Sequence, residues 1–176
     1  MSDYPQVADG LIRAIENWPE DGVTFRDITP LLADPQGLSA TVTALVDEAR
    51  AFGPIDVVAG VEARGFLLAP LIAQELGIGL VPVRKAGKLP ADVLSESYSL
   101  EYGDAVVEIH TDAVTAGSRV LIVDDVLATG GTLAAAVRLF ERAEAQVAGA
   151  LVLIELPALR GRDALVDVPL TALLEY

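Results

Sequence analysis

Residues 119–125, RVLIVDD, set an almost unbroken run of aliphatics against two carboxylates, and the chain then opens into VLATGGT. A strand with one wet face alternates apolar and polar residues. A run without alternation fits a strand covered on both faces, the situation in parallel sheets layered by helices. That requirement confines the chain to α/β architectures. GGTLAAAVRLFERAEA then predicts a helix and VAGALVLIEL another buried strand. IDVVAG, GFLLAPLIAQELG and GLVPVR give the same strand, helix, strand order earlier in the chain, with the helix interrupted early by Pro70. Such a unit implies a parallel pair.

The remaining segments are read around this frame. Val7, Leu11, Ile15 and Trp18 recur at intervals of four, four and three, which predicts a short amphipathic helix ending before Pro19, with Trp18 in the core. DGVTFRDITPLL reads as a loop. Asp34 and Pro35 open a helix whose apolar face is Leu38, Val42, Leu45, Val46 and Ala49, running up to Gly53. Lys85 to Ser97 reads as a long mobile loop. SYSLEY and DAVVEIH form a hairpin around Gly103, and VPLTALLEY adds a last strand. The expectation is one domain over 1–176, with residues 1–33 as an N-terminal appendage.

Composition narrows the function. No apolar run reaches the roughly 18 residues of a membrane span. The first ten residues carry neither a basic leader nor an apolar signal core, so the expected compartment is the cytoplasm. The absence of cysteine removes disulfides, thiolate nucleophiles and thiolate metal sites. A net charge of −14 argues against nucleic acid as partner, since such binders release counterions with clustered Lys and Arg. One local exception stands out: the two lysines of the chain, Lys85 and Lys88, lie together beside Arg84. His110, the one histidine, has no Cys or second His near it in sequence and is read as structural.

In open α/β sheets ligands sit beyond the carboxyl ends of strands, where Asp124 to Thr132 fall. Gly130 and Gly131 let the backbone approach a ligand, and the amides of Ala128 to Thr132 can point inward at a helix start, a setting that favours phosphate. The hydroxyls of Thr129 and Thr132 add donors. Asp124 and Asp125 would repel that phosphate. They can accept from sugar hydroxyls, help hold Mg2+, or merely cap the helix. No Lys follows the glycines as a Walker loop requires, and no G-x-G-x-x-G follows a strand; GIGLVP leads into a strand instead.

VLIVDDVLATGGT resembles the phosphoribosyl-pyrophosphate (PRPP) motif of type I phosphoribosyltransferases. FRDITPLL, GVEARGFLLAP, VRKAGKLP and SYSLEYGDAVVEIH resemble, in order, motifs of the adenine branch of that family. The resemblance implies a type I phosphoribosyltransferase fold: a mainly parallel twisted sheet flanked by helices, a small N-terminal hood over 1–33 and a mobile hairpin and loop over the site. It implies transfer of phosphoribose from PRPP to adenine with Mg2+, in a cytoplasmic homodimer. By the same resemblance Ala128, Thr129, Gly130, Gly131 and Thr132 cradle the 5-phosphate, and Asp124 and Asp125 face the ribose. Arg64, Arg84, Lys85 and Lys88 surround the pyrophosphate. Glu101 handles the adenine proton, and Tyr102 helps close the site. The Thr24 backbone, Phe25 and Leu156 hold the base. Arg26 and Asp27 brace the hood through an Arg–Asp contact. Competing readings are transfer to hypoxanthine, xanthine or orotate, and a non-catalytic PRPP sensor acting on DNA, which would need a basic surface and a further domain.

Overall fold

The computed structural model describes residues 8–99 and 104–176, and divides into two compact units with the boundary between Ala44 and Leu45. In the first unit Ala8 and Asp9 are helical, but the helix expected to continue to Trp18 does not form. Strand β1 (Arg13–Glu16) instead pairs antiparallel with β2 (Thr24–Asp27), Arg13 opposite Asp27 and Glu16 opposite Thr24. The segment read as a loop therefore supplies a strand. The turn between them uses Asn17 and Gly22 at positive φ, and the Asn17 side chain accepts from the Gly22 N–H at 2.9 Å. Trp18 is 52% exposed rather than core, its ring set edge-on to Phe25 at 4.6 Å.

Asp27 fixes the exit from β2. It accepts two hydrogen bonds from the Arg13 guanidinium, one from the Thr29 N–H at 2.9 Å and one from the Thr29 hydroxyl at 2.9 Å. Thus Arg13 supplies the bracing guanidinium that the sequence suggested from Arg26. The short helix α1 (Thr29–Ala33) follows and buries Leu31. Helix α2 (Pro35–Ala51) starts as expected, with the Asp34 carboxylate accepting from the Gly37 N–H at 2.7 Å.

The second unit contains a seven-stranded sheet in the order β5-β6-β4-β3-β7-β8-β9. Its strands are β3 (Val57–Val61), β4 (Gly79–Lys85), β5 (Val93–Ser99), β6 (Asp104–His110), β7 (Arg119–Leu127), β8 (Gln146–Glu155) and β9 (Leu170–Glu175). The five from β4 to β9 run parallel; β6 is antiparallel to β4, and β5 to β6. Because β5 already begins at Val93, the loop expected from Lys85 to Ser97 shrinks to residues 86–92.

Helix α3 (Gly65–Leu76) joins β3 to β4, and α4 (Gly131–Arg142) joins β7 to β8. Pro70 lies inside α3 without interrupting it, since the lost amide is a single hydrogen bond in a helix anchored by buried Leu68, Ala69, Ile72 and Ala73. The core is built where α4 meets the sheet. Leu133, Leu139 and Phe140 of that helix are buried with Val120 and Ile122 of β7 and Val152 of β8. The run VAGALVLI within β8, eight residues with no polar side chain, is explained by this covering. Among the described residues no helix is long and apolar enough to cross a membrane.

Candidate active site

The crossover from β3 leads to β4 on one side of the sheet and that from β7 to β8 on the other. Neighbouring β3 and β7 therefore mark the switch point, and a crevice opens beyond their carboxyl ends. A cleft of about 370 Å³ lies there, lined by Glu62, Ala63 and Arg64 after β3, Lys85 at the end of β4, Tyr98, and Asp124, Asp125, Val126, Ala128 and Thr132. This volume is in the range of small-molecule sites. A smaller pocket of about 70 Å³ adjoins it, enclosed by residues 126–133 with Asp124.

The loop begins later than the sequence suggested. Val126 and Leu127 continue β7, paired with Ile154 and Glu155, so only Ala128 to Gly130 leave the strand before α4. These two β-forming side chains extend the ladder past the acids. Gly130 is the helix N-cap at φ 84, and no side chain caps α4. The acids therefore do not serve as caps, and the first amides of a twelve-residue helix are left to face an anion. Gly65 lets the start of α3 approach β7: a Cβ there would lie 2.7 Å from the Val123 carbonyl oxygen and 3.1 Å from Asp124 Oδ1.

Both aspartates are buried. Asp124 Oδ1 accepts from the Asp125 N–H at 2.8 Å, and Asp125 pairs with the Arg64 guanidinium. Burial, reinforced by the adjacent Asp125 charge, pushes the Asp124 carboxyl well above the usual carboxylate range. Glu62 is the group that the sequence reading passed over. Its Oε2 accepts from the Lys85 N–H at 3.0 Å and from Arg84 Nε at 3.3 Å. The Lys85 amide, then the Arg84 side chain, outweigh desolvation and hold its carboxyl below the usual value. The only local signal was an acid placed directly after a buried strand.

The cleft thus brings together Arg64, Lys85, Asp124, Asp125, Ala128 and Thr132, and the adjoining pocket adds Thr129, Gly130 and Gly131. Arg84 and Lys88 do not line it. Arg84 is engaged by Glu62 and donates to the Lys88 carbonyl at 3.2 Å, while Lys88 is exposed. Leu156 follows β8, its N–H donating to the Leu127 carbonyl at 2.9 Å. Thr24 and Phe25 sit in the β1–β2 hairpin of the first unit. Glu101 and Tyr102 lie outside the described residues.

Residues 31–171 match the family model for the phosphoribosyl transferase domain. The chain is 55% identical over 172 residues to the adenine phosphoribosyltransferase of Thermobifida fusca, covering 98% of this chain and 97% of that one. The chain belongs to the adenine phosphoribosyltransferase family. The crystal structure of the family member from Thermoanaerobacter pseudethanolicus superposes with a TM-score of 0.93 at 43% identity, covering 97% of this chain and 99% of that one. The Saccharomyces cerevisiae phosphoribosyltransferase, solved with an imino-altritol bisphosphate and adenine, gives a TM-score of 0.91 at 40% identity, covering 99% of this chain and 100% of the yeast chain. The fold expected from the sequence, an α/β sheet mostly parallel and flanked by helices, is the fold of this phosphoribosyltransferase family.

Proposed function

We propose that the chain transfers the 5-phosphoribosyl group of PRPP to adenine, releasing pyrophosphate and forming AMP. One juxtaposition carries the reading: an uncapped helix start, two buried aspartates and Arg64 converge on a single crevice in a member of this family. The amides from Ala128 to Thr132 and the hydroxyls of Thr129 and Thr132 suit the 5-phosphate. Asp124 and Asp125 suit the ribose hydroxyls. Arg64 and Lys85, with Arg84 beside it in β4 and Lys88 in the loop that follows, suit the pyrophosphate. Loss of pyrophosphate builds positive charge on the ribose and negative charge on the leaving group, so fixed charges on both sides lower the barrier.

Glu101 accepts or shares the proton that adenine loses, and Tyr102 excludes water; both roles rest on the LEYG resemblance. The same warrant assigns the Thr24 backbone, Phe25 and Leu156 to the base, and residues 1–33 to a hood within one phosphoribosyltransferase domain. Among the described residues no cluster of three or more His, Asp or Glu could hold a metal. Asp124 and Asp125 are the carboxylates of this crevice that would help hold a Mg2+ brought by PRPP, an ion that prefers carboxylate and substrate oxygens. When bound, the ion neutralises charge on the diphosphate. A cytoplasmic homodimer without nucleic-acid or membrane partners completes the reading.

The test is direct. The protein, PRPP and Mg2+ are mixed in turn with adenine, hypoxanthine, xanthine and orotate, and nucleotide formation is followed. Adenine alone should be consumed, with AMP and pyrophosphate in equal amounts. Preferred turnover of another base would move the chain to a different branch, and no turnover with any base would leave a sensor.

A further inference from the structure

The phosphate loop does not stand alone. Behind it runs the segment after β8, two short 3-10 turns at Pro157–Leu159 and Gly161–Ala164. Gly161 is buried, and a Cβ built on it would run into the Ala128 carbonyl oxygen and come within 2.8 Å of Leu127 Cγ. The opposition is mutual. A Cβ on Gly130 would strike the Gly161 carbonyl oxygen and approach Ala164 Cβ to 3.0 Å. Gly161 has no left-handed φ, unlike Gly130, so its lack of a side chain answers a steric demand from the loop rather than its own backbone.

The segment is pinned on both sides of this contact. Arg162 donates from Nε to Glu155 Oε1 at 2.8 Å and from Nη2 to Glu155 Oε2 at 2.6 Å, and from Nη1 to the Leu170 carbonyl at 3.2 Å. Glu155 is buried at the end of β8. A two-pronged guanidinium–carboxylate pair fixes orientation as well as distance. Leu165, three residues on, is buried in the core, and the Leu156 N–H is held by the Leu127 carbonyl. The turn thus presents a bare backbone, at a fixed height, to the rear of Ala128 and Gly130.

We propose that Gly161, locked by the Glu155–Arg162 pair, is a positioning residue for phosphate recognition: it sets the loop backbone so that the amides of Ala128 to Thr132 converge on the 5-phosphate. The inference deepens the proposed function and rests on its assignment of this loop to the sugar phosphate. A receptor made of backbone amides has no rotamers to adjust, so a small displacement of the loop spoils several donors at once.

The experiment compares Gly161→Ala, Arg162→Ala and Arg162→Lys with the wild-type chain. KM for PRPP, KM for adenine and kcat are measured, together with ribose 5-phosphate binding by calorimetry and the melting temperature. In Gly161→Ala the KM for PRPP should rise about tenfold or more while that for adenine stays within about twofold. Arg162→Ala should show the same bias at about threefold to tenfold, and Arg162→Lys, which keeps the charge but loses the fork, should fall between it and wild type. Should Gly161→Ala fail to fold, the two Arg162 variants decide the matter. Unchanged KM for PRPP in the folded variants, or equal rises for PRPP and adenine, would overturn the proposal. If the wild-type chain turns over no base, the enzymatic reading fails separately. Ribose 5-phosphate binding then decides: lost affinity in the folded variants supports the positioning role, and equal affinity removes it.

Discussion

Two buried acids of this molecule carry opposite signs of pH dependence, each set by its immediate neighbours. Asp27, surrounded by the Thr29 amide, the Arg13 guanidinium and the Thr29 hydroxyl, is held down to about 2 from an ordinary 3.8. A lowered carboxyl contributes stability that is present above its unfolded value and is lost as pH falls through the folded one. Asp124 is raised, so its contribution is full below the ordinary carboxylate value and is lost as pH climbs through the elevated one. Denaturant titrations across pH should therefore separate the two. Asp27→Asn should flatten the acid limb between 3.8 and about 2, removing about 1–2 kcal/mol of stability at neutral pH. Asp124→Asn should flatten the decline on the higher side. A raised Asp124 carboxyl is refuted if that variant keeps the wild-type slope. At this scale the sequence was partly legible. The tandem acids announced themselves by following an apolar run, whereas nothing local distinguishes Gly161, whose constraint comes from a carbonyl far away in the chain.

Among the elements, the β5–β6 hairpin is tied to α4 by one carboxylate. Glu96 receives Arg138 Nε at 2.6 Å and Arg142 Nη1 at 3.0 Å, and the same arginines donate to the Ser97 and Ser95 carbonyls at 3.3 and 2.6 Å. Arg138 and Arg142 are one helical turn apart, so both reach the same acid. β5 is one of the two edge strands, and these contacts supplement its one ladder. Glu96→Ala should speed amide hydrogen exchange in β5 by about fivefold, the worth of roughly 1 kcal/mol, and leave β8 unchanged. Equal protection in wild type and variant would show that the ladder alone suffices. The β7–α4 and β3–α3–β4 units were readable because aliphatic runs and helical periods alternate without ambiguity. The N-terminal hairpin was not: Leu11, Ile15 and Trp18 mimic a helical stripe, and only pairing with Thr24 to Asp27 decides for a strand. The same limit applies to β5, whose sequence VLSESYS is mostly polar and offers little beyond Leu94 and Tyr98 to the core, so that β6 and α4 order it.

For the molecule as a whole, a net charge of −14 over 176 residues opposes the compact state through self-repulsion. Raising ionic strength from about 0.01 to about 0.15 M shortens the screening length from about 30 to about 8 Å. The melting temperature should then rise by about 2–4 °C, the shift that roughly 1 kcal/mol produces in a chain of this size. A fall in melting temperature would mean that attractive pairs such as Glu155–Arg162 outweigh the global field. The overall class was legible from hydrophobic patterning, because only a doubly covered sheet hides so many uninterrupted aliphatics. The wiring of the crevice was not, since Glu62, Arg84 and Lys85 meet only after β3 and β4 align. One of its contacts has a larger meaning. With Arg64 already joined to Asp125, one edge of the guanidinium is committed to a buried carboxylate while 42% of the side chain stays exposed. The pair therefore fixes where a positive charge stands in the crevice, so that in the proposed reaction little ordering of this side chain is left for binding to accomplish.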